Sequence, residues 1–383
     1  MKKFRFTSIL LIILVVLAAA WALCPQYLRK ALIYQQVDID DYKIFDNRIV
    51  AAGNPQPWEE MAGFDKREVP ELYRQSFEEF KTVAFLVVKN ERIVFEKYWD
   101  GYSADSRSNS FSMAKSIVGL LIGIALDEGY ISNVDQPIGD FLPEFAEGEK
   151  AKVTIRHLLE MSSGLSWDEA YSSAFSMTTK GYYGKNLAEL VLNQEVLREP
   201  GTYHDYKSGN TQLLALILEK ATHQKMSTYA SEKLWKPMGA SHDAWWCIDK
   251  PDGIEKAYCC FNSNARDFAR FGQLILFNGN WYGKQLVSKD FLTKALTPVS
   301  HLTDENGKPV DYYGWQWWMM TYKGRQVYYM RGLNGQYVII LPATQTVIVR
   351  LGHKRSDERI NGTPADFFSW LDAGIELSEV KVE

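Results

Sequence analysis

Two kinds of hydrophobic pattern alternate along this chain. Runs of β-branched and aromatic residues lie at 82–88 and 92–98, separated by Lys89-Asn90-Glu91, and predict a β-hairpin. Three further strand-like runs fall near the other end, at 326–330, 337–341 and 346–351. Helical patterns fill the space between. One starts at Ser112 and runs through the apolar residues 117–126; a second starts at Thr154, an N-cap residue, and carries Ile155, Leu158, Leu159 and Met161. A third follows the turn at 200–210 and carries Leu213, Leu214, Leu216, Ile217 and Leu218. A fourth begins at the cap residues Ser263-Asn264-Ala265-Arg266-Asp267 and closes at Gly279. Strands at both ends with helices between them predict an α/β fold. Its antiparallel sheet is built from N- and C-terminal segments, with helices on its faces and an inserted helical region.

The N-terminus is patterned differently. Lys2, Lys3 and Arg5 precede an unbroken apolar run from Ile9 to Cys24, which as a helix spans about 24 Å against a hydrocarbon core of roughly 30 Å. It reads as an export signal with small-residue cleavage sites at Ala18-Ala19-Ala20 and Ala20-Trp21-Ala22, or as an uncleaved membrane anchor. Leu23 is too bulky to precede a lipid-modified Cys24. In either case the basic flank leaves the rest outside the cytoplasm, in the periplasm or another extracytoplasmic space, with or without anchoring in the inner membrane. Residues 1–24 are thus a signal peptide or anchor. Residues 25–80, rich in charge and aromatics and broken by Pro55 and Pro57, read as an irregular lead-in. The main domain covers 81–375, and 376–383 form a charged tail.

Composition narrows the function. With 46% hydrophobic and 14% aromatic residues the chain can bury a large core, and its net charge of −4 gives no electrostatic case for nucleic acid. Cys247, Cys259 and Cys260 fall within 14 residues, so either Cys247 pairs with one of the other two or all three are buried thiols. The histidines are scattered, and His157 and His204 read as structural; no metal or cofactor is implied. No G-x-S-x-G elbow, H-E-x-x-H, P-loop or dinucleotide fingerprint occurs. Nothing in the pattern sets the oligomeric state.

The chemistry concentrates at Ser112-Met113-Ala114-Lys115. Three positions apart at a helix start, Ser112 and Lys115 share a face, and the apolar run behind the lysine would favour the neutral amine that can take the serine proton. Helix-terminal N–H groups would meet the developing oxyanion. Ser378-Glu379-Val380-Lys381 repeats the spacing, but in a charged segment with nothing apolar behind it. Two further stretches complete the reading. Tyr206 is held by the turn ahead of the third helix, and the loop at 165–185, with Trp167 and Tyr171, is placed to cover a site.

Taken together these phrases resemble the serine β-lactamase-like hydrolases, a family that includes class C β-lactamases, DD-peptidases and esterases. The carriers are Ser112-Met113-Ala114-Lys115, the stretch from Pro200-Gly201-Thr202 to Tyr206-Lys207-Ser208, and Met330-Arg331-Gly332, over roughly residues 80 to 375. Tyr206-x-Ser208 with Asn210-Thr211, Gly332-Leu333-Asn334-Gly335-Gln336 and Trp167-x-x-x-Tyr171 look most like the 6-aminohexanoate-dimer hydrolase and carboxylesterase branch. The resemblance implies Ser112 as nucleophile, Lys115 as base, Tyr206 as acid/base, and an oxyanion hole from the N–H groups of Ser112 and Leu333. Ser208, Tyr171, Trp167, Met330 and Gly332 would line the substrate. Ser208 stands where β-lactamases usually carry asparagine. Met330 stands where they carry lysine or histidine, and a thioether there predicts poor affinity for the carboxylate of β-lactams.

The function expected is therefore an exported serine hydrolase acting on a small-molecule ester, amide or peptide through an acyl-enzyme. The alternatives are a class C β-lactamase or DD-peptidase, and a non-catalytic relative that binds cell-wall or peptide ligands.

Overall fold

Strands from opposite ends of the chain meet in one sheet. The computed structural model describes residues 2–171 and 173–379. Its N-terminal part supplies α1 (Lys2–Leu23), α2 (Gln26–Tyr34), β1 (Asn47–Val50), β2 (Glu59–Glu60), α3 (Glu71–Glu79), β3 (Thr82–Lys89) and β4 (Arg92–Tyr98). The middle supplies β5 (Ser108–Asn109), α4 (Met113–Asp127), α5 (Ile155–Leu159), α6 (Met177–Tyr183), α7 (Leu187–Leu192), α8 (Ser208–Thr222) and α9 (Met226–Ala230). It continues with β6 (Ala244–Cys247), β7 (Phe261–Ser263) and α10 (Ala265–Leu276). A small hairpin, β8 (Asn280–Trp281) with β9 (Lys284–Gln285), and α11 (Lys289–Ala295) come next. The C-terminal part supplies β10 (Trp318–Tyr322), β11 (Arg325–Gly332), β12 (Gln336–Leu341), β13 (Thr346–Gly352), β14 (Arg359–Ile360), β15 (Thr363–Pro364) and α12 (Asp366–Glu379).

The main sheet runs β10-β11-β12-β13-β3-β4-β2, antiparallel except where β2 pairs with β4. The two ends of the chain join where β13 pairs with β3, with Val349 opposite Leu86 and Val347 opposite Val88. Every residue of β13 is buried, as expected of a strand covered on both faces. Val347, Val349 and Leu351 face the larger core with α4, α8 and α10, while Ile348 faces a second core with α3 and α12. Residues 113–125 of α4 are all buried, because a helix that is apolar all round has nowhere else to go.

Three expectations need correction. The lead-in 25–80 is not irregular. It contributes α2, β1, β2 and α3, with Phe77 edge-on to Phe85 and Trp370, because its aromatics find partners that the sequence pattern did not show. The tail at 376–383 is in part the end of α12, where Leu377 and Ser378 are buried; residues 380–383 lie outside the described residues. Finally, Cys259 and Cys260 are joined to each other, and Cys247 is a free, buried thiol. The Cys247 N–H bonds to the Cys260 carbonyl at 3.0 Å, but its thiol meets Asn262 Nδ2 at 3.4 Å. Burial raises that thiol to about 12.

No single described helix is long and apolar enough to cross a membrane. Ser8–Leu23 and Gln26–Tyr34 meet that test only as a pair, bent by 111°.

Candidate active site

The approach to Ser112 is fixed by backbone pairing. β5 lies against β7, the Ser110 N–H donates to the Phe261 carbonyl at 2.8 Å, and Asn109 Oδ1 accepts the Phe111 N–H at 2.9 Å. Phe111 then adopts φ +43°, a left-handed conformation that costs free energy for an aromatic residue. The chain turns sharply there, and Ser112 becomes the N-cap of α4.

Lys115, one turn into α4, is 2% exposed. Its Nζ donates to Ser112 Oγ at 2.9 Å and to the Tyr258 carbonyl at 3.0 Å. It also lies 5.0 Å from the centre of the Tyr206 ring. Tyr206 is brought there because α8 packs along α4 and the preceding turn is tied down. The Asp205 N–H bonds to the Met161 carbonyl at 2.7 Å, and Lys207 Nζ to the Leu165 carbonyl at 2.6 Å. The Tyr206 ring is held between Tyr313 and Trp318, at centroid distances of 5.9 and 5.2 Å.

The end of β11 closes the third side. A Cβ on Gly332 would lie 2.2 Å from the Ser110 carbonyl oxygen, so only glycine lets this strand pass so near the Ser112 segment. Leu333 follows and lines the same cavity as Ser112. The loop is braced from behind by the buried Arg350, whose Nη1 donates to the carbonyls of Asn334 and Gly335 at 2.9 and 2.8 Å. Gln336 Nε2 donates to the Leu333 carbonyl at 3.1 Å.

The cavity at Ser112 measures about 970 Å³. Ser208 and Tyr171 line it. Trp167, Met330 and Gly332 do not, nor do Lys115 and Tyr206, which sit behind Ser112; for Trp167, Met330 and Gly332 packing takes the place of the expected contact with substrate. Trp167 is buried under Gly209 and Tyr258, Gly332 serves close approach, and Met330 is fully buried on the strand face that packs against α4. Arg331, as alternation requires, turns from that face and sits 3.5 Å from the centre of the Trp318 ring. The expectation that Met330 lines the substrate therefore fails, because the side chain is fully buried and offers no surface to the cavity.

Sequence reasoning missed Glu169. Its carboxylate accepts the Ser208 N–H and Oγ, both at 2.7 Å, and the Tyr171 hydroxyl. The Ser208 hydroxyl is thereby committed to a protein partner. The Tyr171 ring edge is exposed while its hydroxyl reaches inward, and desolvation with the Glu169 charge holds its pKa well above the usual range. The lead-in was missed as well: Ala31 and residues 35–38 form one wall of the cavity. Asp38 is paired with His353 at 2.9 Å, and that bond lowers its pKa. Behind the wall, burial raises Asp41 to about 6, where it accepts the Tyr182 hydroxyl at 2.7 Å. Burial lowers Lys256 to about 8, and its ammonium donates to the Tyr182 carbonyl. No sequence spacing links these residues to Ser112. His157 and His204 are structural, the first closing a capping box with Thr154 and the second bonded to the Glu160 carbonyl. Among the described residues no cluster could hold a metal ion.

This geometry has relatives. Residues 71–367 match the Beta-lactamase family. The 6-aminohexanoate-dimer hydrolase of Paenarthrobacter ureafaciens is 30% identical over 298 residues, covering 74% of this chain and 75% of the relative. A candidate 6-aminohexanoate-dimer hydrolase from Bacillus anthracis superposes with a TM-score of 0.76 at 22% identity, covering 89% of this chain and 92% of that one. A family VIII carboxylesterase superposes at 0.62 and 16% identity, covering 86% and all of the neighbour. The two structures speak for the fold alone, but the match over most of the chain goes further: this protein belongs to the β-lactamase family and has the fold of its hydrolases.

Proposed function

We propose that this chain is an exported serine hydrolase that cleaves an ester or amide bond through an acyl-enzyme on Ser112. The observation that carries the reading is the buried contact between Lys115 Nζ and Ser112 Oγ at 2.9 Å, with the Tyr206 ring beside the same nitrogen. The neutral lysine takes the Ser112 proton as Oγ attacks the substrate carbonyl carbon, and the carbonyl oxygen becomes an oxyanion facing the N–H groups of Ser112 and Leu333. On collapse, the bond to the leaving alcohol or amine breaks, and the leaving group receives a proton through the Tyr206 hydroxyl, which is resupplied from Lys115. Water then attacks the acyl carbonyl carbon and gives a proton to the same pair; the bond from that carbon to Ser112 Oγ breaks, the carboxylic acid leaves, and the proton returns to Oγ.

The relative's name supports amides of the 6-aminohexanoate type as one candidate substrate class, and the carboxylesterase neighbour supports esters. Glu169, bonded to the cavity-lining Ser208, favours a substrate that brings a donor or a cation rather than a carboxylate to that side of the cavity. The direct test is hydrolysis of p-nitrophenyl acetate and of a linear 6-aminohexanoate amide. Turnover that disappears in Ser112→Ala supports the reading, and binding without turnover of either compound would favour a non-catalytic relative instead.

We further read α1 as a signal or anchor that places the domain outside the cytoplasm. Lys2, Lys3 and Arg5 ahead of the apolar stretch support this. Protease accessibility of the folded domain in intact cells tests it.

A further inference from the structure

The N-terminal arm and the active-site wall are one continuous piece of chain. Residues 1–37 carry five basic side chains (Lys2, Lys3, Arg5, Arg29 and Lys30) and no acidic one, within a protein of net charge −4. The apolar part of α1 is open on every side, with each residue from Ile9 to Leu17 between 49 and 64% exposed. Such a helix matches hydrocarbon rather than a protein groove, which would cover one stripe and leave the rest polar.

After Cys24-Pro25 the chain bends by 111° into α2, so a membrane entered by α1 has α2 lying close to its plane. The inner side of α2 packs on α6, with Tyr34 stacked on Tyr183, and Ala31 and residues 35–38 line the cavity holding Ser112. Its outer side presents Leu32 and Ile33, 53 and 60% exposed, whereas Lys30 turns inward, its Nζ 5.0 Å from the centre of the Phe45 ring. Across the cavity mouth, Phe175, next to the cavity-lining Ala174, is 68% exposed. Exposed apolar side chains thus stand on both the α2 and the covering-loop sides of the mouth.

We infer that the mouth of the Ser112 cavity opens at a lipid bilayer surface, seated there by α2 and Phe175, and that the substrate is an amphiphile with an alkyl chain drawn from that surface. This rests on the hydrolase reading above and specifies its substrate class. The occupant is lipid rather than a second copy of the chain because the apolar residues of α1 are exposed all round the helix, and a twin would cover one stripe of it where hydrocarbon covers every side.

The test uses the full chain in phosphatidylcholine vesicles containing a fifth of phosphatidylglycerol. Hydrolysis of p-nitrophenyl palmitate carried in the vesicles is compared with that of p-nitrophenyl acetate in water, for the wild type and for the triple variant Leu32→Ser, Ile33→Ser, Phe175→Ser. None of the three residues lines the cavity, so acetate turnover also reports that the variant is folded. The expected result is a loss of roughly tenfold or more on the vesicle-borne ester with acetate unchanged. Equal losses on both esters, no loss on either, or a loss that tracks dissociation of a dimer instead of vesicle release would overturn the inference. A wild type inactive on both esters and unlabelled at Ser112 would overturn the hydrolase reading itself, a separate outcome.

Discussion

The same four-residue spacing occurs at two helix ends in this protein, and the two ends differ in every respect that matters to chemistry. Ser112 caps the start of α4, where N–H groups are unpaired and the helix dipole is positive; Ser378 lies in the last turn of α12, where carbonyls are left over. Ser112 Oγ meets the Nζ of the buried Lys115 at 2.9 Å. Ser378 Oγ instead donates to the Ile375 carbonyl at 2.7 Å, and Lys381 lies outside the described residues. A nucleophile is thus made by the neighbourhood that the fold assembles around the pattern, not by the pattern. Each prediction below removes one part of that neighbourhood from Ser112 while Ser378 serves as the control.

The largest effect is expected at the contact itself. Ser112→Ala and Lys115→Ala should each lower kcat for ester hydrolysis by about a thousandfold or more, Tyr206→Phe by a comparable factor, and the combinations should add little because the groups act as one unit. Ser378→Ala should leave kcat unchanged. Steady-state kinetics decides this, and fully additive losses would break the shared proton path.

Next comes the close approach of β11. Gly332→Ala places a methyl group against the Ser110 carbonyl, so the strand end must move and carry the Leu333 N–H with it. A fall of about 10²- to 10³-fold in kcat is expected, the range for losing one oxyanion donor, with thermal unfolding showing that the fold survives. Unchanged kcat would remove Leu333 from the site.

Glu169→Gln should have a smaller effect, about tenfold in kcat/KM. The amide can still accept the Ser208 hydroxyl but no longer places a charge behind the cavity-lining Ser208. The loss should be greater for a substrate bearing an ammonium group than for p-nitrophenyl acetate. An equal change on both would mean that the carboxylate only holds Ser208 and Tyr171 in place.

Furthest from the reaction, Asp41 ties the lead-in wall to Tyr182 of α6. Its folded value of about 6 lies above the usual carboxylate value, so between about pH 4 and 6 the folded state binds more protons than the unfolded one. Stability from this group is therefore full below pH 4 and declines as pH rises through 6, by on the order of 2–3 kcal/mol in total. Asp41→Asn, which keeps an acceptor for Tyr182, should flatten that slope and match or exceed the wild-type melting temperature at pH 7. Thermal unfolding at pH 4 and pH 7 measures it, and an unaltered slope would assign the pH dependence elsewhere.

Much of this arrangement was legible in the sequence, because it depends on local pattern. The hairpin β3–β4, the buried α4 with Ser112 at its start, the Thr154 cap and the turn holding Tyr206 are all set by residues within a few positions of one another. What was not legible depends on contacts between segments distant in sequence, 39 positions apart for Glu169 and Ser208 and 143 for Lys115 and Tyr258. Glu169 meets Ser208 through a loop whose path no periodicity fixes, and the Tyr258 carbonyl accepts from Lys115 Nζ, a backbone contact that no side-chain pattern reports. The lead-in was misread for a related reason: Pro55 and Pro57 mark breaks truly, but the aromatics around them are held by distant partners such as Trp370. Met330 shows the opposite error. The strand register was read correctly, but a residue on the inward face can be buried beneath a site without lining it.

The central claim is that Ser112, and not another serine of this chain, is the nucleophile. Treatment of the purified full chain with a fluorophosphonate, followed by mass spectrometry of the digested peptides, tests it most directly. The predicted result is one adduct, on the peptide holding Ser112, lost in Lys115→Ala and absent from the peptide holding Ser378. An unmodified Ser112 in a folded protein, or an adduct on any other serine at equal yield, would contradict it.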